Sequence, residues 1–331
     1  ADATPMYDHS PRVSPPDEVS CGDIDAGFAK ADVIIQNDYT VPVREHAAME
    51  PESALVYMDG EQLVCVTGLY HAFVQGTESL SNNLAMKQEN VRIKCPAMGG
   101  NFGTRGDTLI AVTCGMMARK TGKPIRMVFS REESILGSCK APSVDIRYKT
   151  GAMKDGRIVA VDVEVMHGAG SWAPHLIEHT TKGVELCFYE TLGALLSHVT
   201  GPYEIENVRG RAWDVLTNAP RYVPLRGTNA NYLPLAYESQ VDLVAEKLGL
   251  DPVDVRLKNA IRTGSKTHFG QELTDHVSMV AELELLRPHY DEAVTRLATR
   301  RAEAESPWMP GLGVGAGWRN IGYFKSTITA G

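Results

Sequence analysis

Residues 91–129 read VRIKCPAMGGNFGTRGDTLIAVTCGMMARKTGKPIRMVF, and this stretch decides the fold. Val91, Ile93 and Cys95 alternate with polar residues as in a half-buried strand, and a glycine-rich loop follows them. TLIAVTCGMMARKTGKP then carries apolar residues at helical spacing and stops at Gly122, before the strand-like IRMVF. The order strand, loop, helix, strand predicts a parallel crossover. Its glycine-rich loop lies at the carboxyl end of the first strand, where α/β sheets usually bind ligands.

Other segments predict a mixed α+β architecture around this crossover. Asp59-Gly60 and Asp155-Gly156 each separate two apolar runs, which is typical of a β-hairpin. A short helix from Ile24 leads into a β-branched strand, and LPLAYESQVDLVAEKLGL predicts a long amphipathic helix. Asp251-Pro252 predicts the start of a further helix.

The same patterns divide the chain into four parts. Residues 1–23 are rich in proline and predict an extended linker, and order is expected from residue 24 to about 262. Residues 263–310 predict a helical connector, because the stretch from 275 to 301 is helical and highly charged. GLGVGAGW, within residues 311–331, predicts the first strand of a second domain.

Composition and charge exclude several classes of protein. The formal net charge is -8, so the chain lacks the basic balance of a nucleic-acid-binding protein. Hydrophobic residues make up 43%, and no apolar run approaches the roughly 20 residues of a membrane-spanning helix. The six cysteines show no Cys-x-x-Cys or zinc spacing and predict free thiols in a reducing, cytoplasmic compartment, without a protein-held metal or iron–sulfur cluster.

Three groups of residues are candidates for chemistry. Gly99, Gly100, Gly103 and Gly106 surround Phe102, a composition that lets backbone N–H groups approach a ligand closely. Spacing alone does not separate such a loop from a simple turn. It has neither the Lys-Ser/Thr of a phosphate-binding P-loop nor the pattern of a dinucleotide fingerprint, which argues against a nucleotide-dependent dehydrogenase.

The second and third candidates are EHAAMEP at residues 45–51 and Arg226. EHAAMEP lacks the spacing of a zinc protease, so a structural turn is the favoured interpretation. Arg226 lies on a turn before the long amphipathic helix, where its guanidinium could bind a phosphate or a pterin edge. A surface salt bridge is the alternative for Arg226. No role is assigned to the isolated histidines, which are His167, His175, His179 and His198.

Five motifs in register resolve these alternatives. They are EHAAMEP (45–51), AMGGNFGTR (97–105), GPYEIENVRG (201–210), PLRGTNA (224–230) and ESQVDLVAEKLGLDPVDVRLKNAIR (238–262). Together they resemble the molybdenum-binding part of the xanthine dehydrogenase and aldehyde oxidase family, the molybdenum hydroxylases. The resemblance implies a mixed-sheet first molybdopterin-binding domain over residues 24–262, and the start of the second such domain over residues 311–331.

The resemblance also implies the cofactor and its site. The cofactor would be molybdenum-molybdopterin, often a cytosine dinucleotide in bacteria, with the metal held by the pterin and by no residue of this chain. The implied cofactor-binding residues are Gly68, Gly99, Gly100, Asn101, Phe102, Gly103, Arg226 and Gly227. The implied reaction is hydroxylation with oxygen from water, with electrons leaving through iron–sulfur clusters to a flavin on partner subunits.

This chain departs from the family pattern in two ways. The general-base glutamate of the family lies in a later motif that this chain does not contain, so the resemblance implies that this catalytic residue lies on a partner chain of a split enzyme or in a missing C-terminal part. By this resemblance, Gly106 stands where relatives that oxidise purines carry a glutamate, and Ala194 stands where many relatives carry an arginine. These small residues, with Thr228 after the Arg226 turn, predict a roomier pocket for an aldehyde or a larger aromatic N-heterocycle. A non-catalytic scaffold subunit is the alternative function.

Overall fold

A computed structural model of the chain describes residues 16–69, 76–170, 192–220, 222–227, 229–302 and 309–319. Within them lie two β-sheets with helices packed on them, which confirms the mixed α+β fold. The strands are β1 (Asp17–Cys21), β2 (Val33–Val41), β3 (Ser53–Asp59), β4 (Gln62–Thr67), β5 (Val91–Lys94), β6 (Ile125–Val128), β7 (Val144–Ala152), β8 (Ile158–Gly170) and β9 (Asn207–Leu216).

The helices lie between some of these strands and after the last one. They are α1 (Ile24–Lys30), α2 (Thr77–Asn83), α3 (Leu109–Thr121), α4 (Arg131–Gly137), α5 (Leu192–Leu196), α6 (Pro234–Leu248), α7 (Pro252–Asn259) and α8 (Met279–Ala302). Asp23, Ser130 and Asp251 cap α1, α4 and α7 with side-chain oxygens that accept backbone N–H bonds of the first turn.

The smaller lobe is built on a four-stranded sheet in the order β5-β4-β3-β6. The hairpin at Asp59-Gly60 is confirmed, since β3 and β4 pair antiparallel and Gly60 has a φ of +59°. Strands β5 and β6 lie at opposite edges, and α3 packs across the sheet between them. This is the predicted crossover, and it places the glycine-rich loop at the carboxyl end of β5.

The larger lobe is built on a five-stranded sheet in the order β1-β9-β8-β7-β2. Strands β7 and β8 form the second predicted hairpin. Helix α6 packs against β2 and β7, and α5 packs against β1 and β9. Its core contains fully buried side chains such as Ile146 and Val163. Two isolated bridges, Arg44 with Ala141 and Lys140 with Tyr222, connect segments at the end of this lobe that faces the smaller one.

Two predictions from the sequence are wrong within the described residues. The extended linker was predicted to reach residue 23, but Asp17–Cys21 form β1, which pairs with β9 along its whole length. The segment GLGVGAGW was predicted to be a strand, but residues 309–319 are not in a sheet. Instead, the Ala316 N–H donates to Glu238 Oε2 over 2.8 Å, and Trp318 packs on the core of the larger lobe.

Candidate functional site

The glycine-rich loop has an unusual backbone that leaves N–H groups available. Gly100, Phe102 and Gly103 have φ values of +111°, +54° and +113°, a region that glycine adopts easily and Phe102 does not. The Asn101 side-chain oxygen accepts bonds from the N–H of Gly103 (3.1 Å) and Arg105 (3.3 Å). The N–H groups of Gly100, Asn101 and Phe102 have no acceptor among the residues that the structure describes. Such consecutive free amides are typical of anion-binding loops.

Arg105 supports the loop from the inside of the protein. Its side chain is only 4% exposed and lies 3.7 Å from the Glu50 carboxylate. The guanidinium donates to the carbonyls of Gly100 and Pro51, each over 3.3 Å. Glu50 in turn accepts from the Gly99 N–H over 2.6 Å and donates its own N–H to the Gly99 carbonyl. The EHAAMEP motif therefore supports the loop, in agreement with its structural interpretation.

A buried carboxylate completes this support. Glu52 accepts hydrogen bonds from Thr104 Oγ1 over 3.0 Å and from Ser134 Oγ over 2.6 Å. Its Oε1 is also 4.0 Å from the Arg105 guanidinium. A buried charge with both oxygens bonded holds its partners firmly in place. The start of α4, which carries Ser134, is thus connected to the residue that follows Gly103.

The loop contacts the turn that carries Arg226, at the junction of the two lobes. The Arg226 N–H donates to the Phe102 carbonyl over 2.8 Å. His46 Nε2 donates to the Pro224 carbonyl over 2.8 Å, so its Nδ1 carries a lone pair. Burial lowers the pKa of His46 and keeps the imidazole neutral. A Cβ on Gly103 would lie 1.6 Å from the Pro224 oxygen, so only glycine permits this contact.

The Arg226 side chain is exposed beside this contact, and its turn is held in shape. Gly227 has a φ of +85°, and Asn231 Nδ2 donates to the carbonyls of Leu225 (3.3 Å) and Arg226 (3.1 Å). The exposed guanidinium of Arg226 therefore belongs to a turn that is hydrogen-bonded to the loop with the three unbonded amides. This set of donors fits an oxygen-rich, negatively charged group such as a pterin phosphate.

The remaining predicted site residues lie at different distances from the loop. Gly68 packs against Met98, since a Cβ there would lie 2.9 Å from Met98 Cγ. Gly106 is exposed, with Val223 the nearest neighbour of an added Cβ, at 3.8 Å. Ala194 lies on α5, against the larger sheet. Thr228, His175 and His179 lie outside the described residues.

The EHAAMEP motif contains His46 and Glu50, but the sequence assigns neither of them a specific contact, and it does not identify Glu52 and Arg105 as supports of the loop. One feature of the sequence indicates that Arg105 has an acidic partner in the EHAAMEPE segment. Arg105 is a charged residue inside a glycine-rich loop, and the chain has acidic residues in EHAAMEPE that could neutralise it. The pairing itself joins residues more than 50 positions apart, so spacing along the chain does not reveal it.

Three further observations describe the rest of the molecule. Within the described ranges, no group of three or more His, Cys, Asp or Glu side chains is arranged to hold a metal. The cysteines that the structure describes, at 21, 65, 95, 114 and 139, form no disulfide with one another. No helix in the described part of the chain is long and apolar enough to cross a membrane.

A family model and several known proteins match this chain, and they point to the same family. Residues 7–260 match the model of the molybdopterin cofactor-binding domain. The chain is 32% identical over 282 residues to the nicotinate dehydrogenase large molybdopterin subunit of Eubacterium barkeri, covering 84% of the chain and 63% of the relative. It is 29% identical over 264 residues to the xanthine dehydrogenase/oxidase of Felis catus, covering 77% of the chain and 19% of the relative.

A solved structure shows the same fold. The aldehyde oxidoreductase from Desulfovibrio gigas superposes with a TM-score of 0.79 at 25% identity, over 90% of this chain and 32% of that one. The chain therefore spans less than two thirds of the relatives that it matches. Because the family model covers most of the chain and the fold agrees, the chain belongs to the molybdopterin cofactor-binding domain family, of the xanthine dehydrogenase and aldehyde oxidase type.

Proposed function

We propose that this chain is the molybdopterin-binding part of a molybdenum hydroxylase that oxidises an aldehyde or an aromatic N-heterocycle with oxygen from water. Electrons would pass to iron–sulfur and flavin partner subunits. The observation that carries the proposal is the hydrogen bond from the Arg226 N–H to the Phe102 carbonyl. It joins the loop with free amides to the turn with an exposed guanidinium, as binding of a single cofactor by both segments requires.

The residues of this chain would bind and orient the cofactor. The amides of Gly100, Asn101 and Phe102 would donate to its oxygens, and Arg226 would pair with its pterin or phosphate. When bound, the molybdenum cofactor supplies two-electron oxidation chemistry. Arg105 would keep the amides in place, because it bonds the Gly100 carbonyl from a buried position. Preorganised donors of this kind lose little entropy when a ligand binds.

Two arguments support the substrate class. Gly106 is small and exposed, so it leaves room beside the loop and offers no carboxylate to a purine. One relative is named for nicotinate, an aromatic N-heterocycle, and one solved neighbour is named an aldehyde oxidoreductase. The proton acceptor for the reaction would come from another polypeptide segment, and the enzyme would be active only with partner chains.

The test is chemical analysis of the intact native assembly. We expect molybdenum and molybdopterin in a ratio near one per chain, a released nucleotide that identifies the cofactor's tail, and additional subunits that carry iron–sulfur clusters and flavin. A panel of aldehydes, quinolines, pyridines and hypoxanthine then defines the substrate. An assembly that contains this chain but no pterin would support a scaffold role. Oxidation of hypoxanthine faster than of the aldehydes, quinolines and pyridines would contradict the proposed substrate class.

A further inference from the structure

Two buried nitrogens of the Arg44 guanidinium donate no hydrogen bond to any residue that the structure describes. Arg44 follows β2, and its backbone pairs with that of Ala141. The guanidinium carbon lies 4.8 Å from the centre of the Tyr232 ring, so the ring covers one face of the cation. Nε and Nη2 are buried, and among the described residues neither has a hydrogen-bond acceptor. Leaving buried donors of a charged group unbonded is costly, which indicates that a ligand completes them.

The acidic side chains near Arg44 are already engaged. Glu45, the next residue, forms an ion pair with Lys140 Nζ over 2.7 Å. Asp214 pairs with His167 Nδ1 over 2.7 Å, and the ring of His167 contacts the edge of Tyr232. In the described part of the chain, no carboxylate therefore forms an ion pair with the Arg44 guanidinium.

The two unbonded nitrogens of Arg44 belong to one edge of the guanidinium. Elsewhere in this molecule the same edge binds a carboxylate through both of its oxygens. Arg209 uses Nε and Nη2 to donate to Asp162 Oδ1 over 3.1 Å and Oδ2 over 2.5 Å. The fork of two parallel N–H bonds fits a planar carboxylate well. The missing partner of Arg44 is therefore an oxyanion with two accessible oxygens.

The pair of Arg44 and Tyr232 lies next to the candidate cofactor site. Two residues after Arg44, His46 donates to the Pro224 carbonyl. One residue before Tyr232, Asn231 holds the carbonyls of Leu225 and Arg226. A ligand on the free edge of Arg44 would thus lie beside the turn that contacts the glycine-rich loop.

We propose that Arg44 recognises substrate, binding the carboxylate of an aromatic carboxylic acid through Nε and Nη2 while Tyr232 holds the guanidinium in place. This inference rests on the proposed function and narrows it to N-heteroaromatic or aromatic acids. Arg44 acts as a specificity residue, because a neutral analogue would leave both donors unbonded and lose affinity. The cofactor's own phosphate is the other source of an oxyanion, and the experiment separates the two.

The test uses the intact holoenzyme and pairs of acids and their amides, such as nicotinate with nicotinamide and quinoline-4-carboxylate with its carboxamide. Calorimetry measures their dissociation constants for the wild type, Arg44→Gln and the control Arg126→Gln, which changes an exposed arginine of β6. We expect the wild type to bind at least one acid about 10- to 100-fold more tightly than its amide. Arg44→Gln should abolish that preference, and Arg126→Gln should retain it.

Molybdopterin content is measured on the same samples. Content equal to wild type in Arg44→Gln, with loss of acid preference, supports the proposal. Loss of pterin in Arg44→Gln would assign the oxyanion to the cofactor and overturn it, as would a wild type without preference for any acid. Pterin in the wild type together with turnover of neutral substrates, but no acid preference, would refute the role of Arg44 while leaving the proposed function intact. A native assembly without pterin would refute the proposed function itself.

Discussion

Replacing Gly103 with alanine tests the contact on which the site depends. The new Cβ would lie 1.6 Å from the Pro224 oxygen, and real Cβ contacts are essentially never below 3.0 Å. The loop and the Arg226 turn must therefore separate by more than an ångström. This movement breaks the bond from the Arg226 N–H to the Phe102 carbonyl and strains the bond from His46 to Pro224.

The magnitude follows from these contacts. A non-glycine residue at a φ of +113° costs about 1–3 kcal/mol. Each hydrogen bond that is lost adds about 1 kcal/mol. We therefore expect Gly103→Ala to lower the free energy of unfolding by about 2–4 kcal/mol. It should also reduce molybdopterin content strongly, because the free amides and the guanidinium no longer face one ligand.

The control is Gly249→Ala at the end of α6. Gly249 also has a positive φ, +66°, but an added Cβ there meets no atom within 4 Å. It should therefore cost only about 1–2 kcal/mol and leave the cofactor bound. Urea denaturation measures the free energy of unfolding of both variants, and pterin analysis measures how much cofactor each one retains. Equal stability losses, with normal pterin content in Gly103→Ala, would refute the reasoning.

Three further predictions follow from the surroundings of the loop. Arg105→Met removes the bonds to the carbonyls of Gly100 and Pro51 and leaves buried Glu52 without its nearby cation, so the free energy of unfolding in urea denaturation should fall by about 3–5 kcal/mol. Arg226→Gln changes an exposed side chain, so the free energy of unfolding should stay within about 0.5 kcal/mol of wild type while molybdopterin content falls. Burial lowers the pKa of His268 to about 4, so below its unfolded pKa the unfolded state binds more protons. Its contribution to stability is present above about pH 6.5 and is lost as the pH falls toward 4, by about 3 kcal/mol in total.

Each of these predictions has a control. Arg126→Met, on an exposed position of β6, should leave stability within about 0.5 kcal/mol of wild type. Pterin content of Arg226→Gln equal to that of Arg126→Gln would contradict the role of Arg226. For His268, the variant His268→Gln should show a shallower loss of stability between pH 6.5 and 4 than the wild type. An unchanged slope would show that another group titrates there.

Local patterns in the sequence were sufficient for most helices and strands. The crossover of residues 91–128 and the turns at Asp59-Gly60 and Asp155-Gly156 depend on neighbours in the chain, and the structure confirms them. Strand β1 was missed because its pairing partner, β9, lies about 190 positions away and prolines precede it. The predicted strand in GLGVGAGW failed for a related reason, since alternating residues make a strand only where a partner edge is available.

The division of the chain into domains, and the roles of Gly106, Ala194 and Thr228 in a substrate pocket, remain predictions. The family, in contrast, is carried by motifs that are each contiguous, and it is confirmed over residues 7–260.

The sequence by itself determined the family and the glycine-rich loop, because each depends on residue types at short spacing, and it predicted a cofactor-binding role for Arg226. Only the tertiary structure decided that the Phe102 carbonyl accepts from the Arg226 N–H and that Arg105 and Glu50 hold the loop in place. It also decided that Arg44 Nε and Nη2 have no acceptor among the residues that the structure describes. The physical reason is that most of these contacts join segments that lie far apart along the chain. Packing of two sheets, and not local propensity, sets the distances between them.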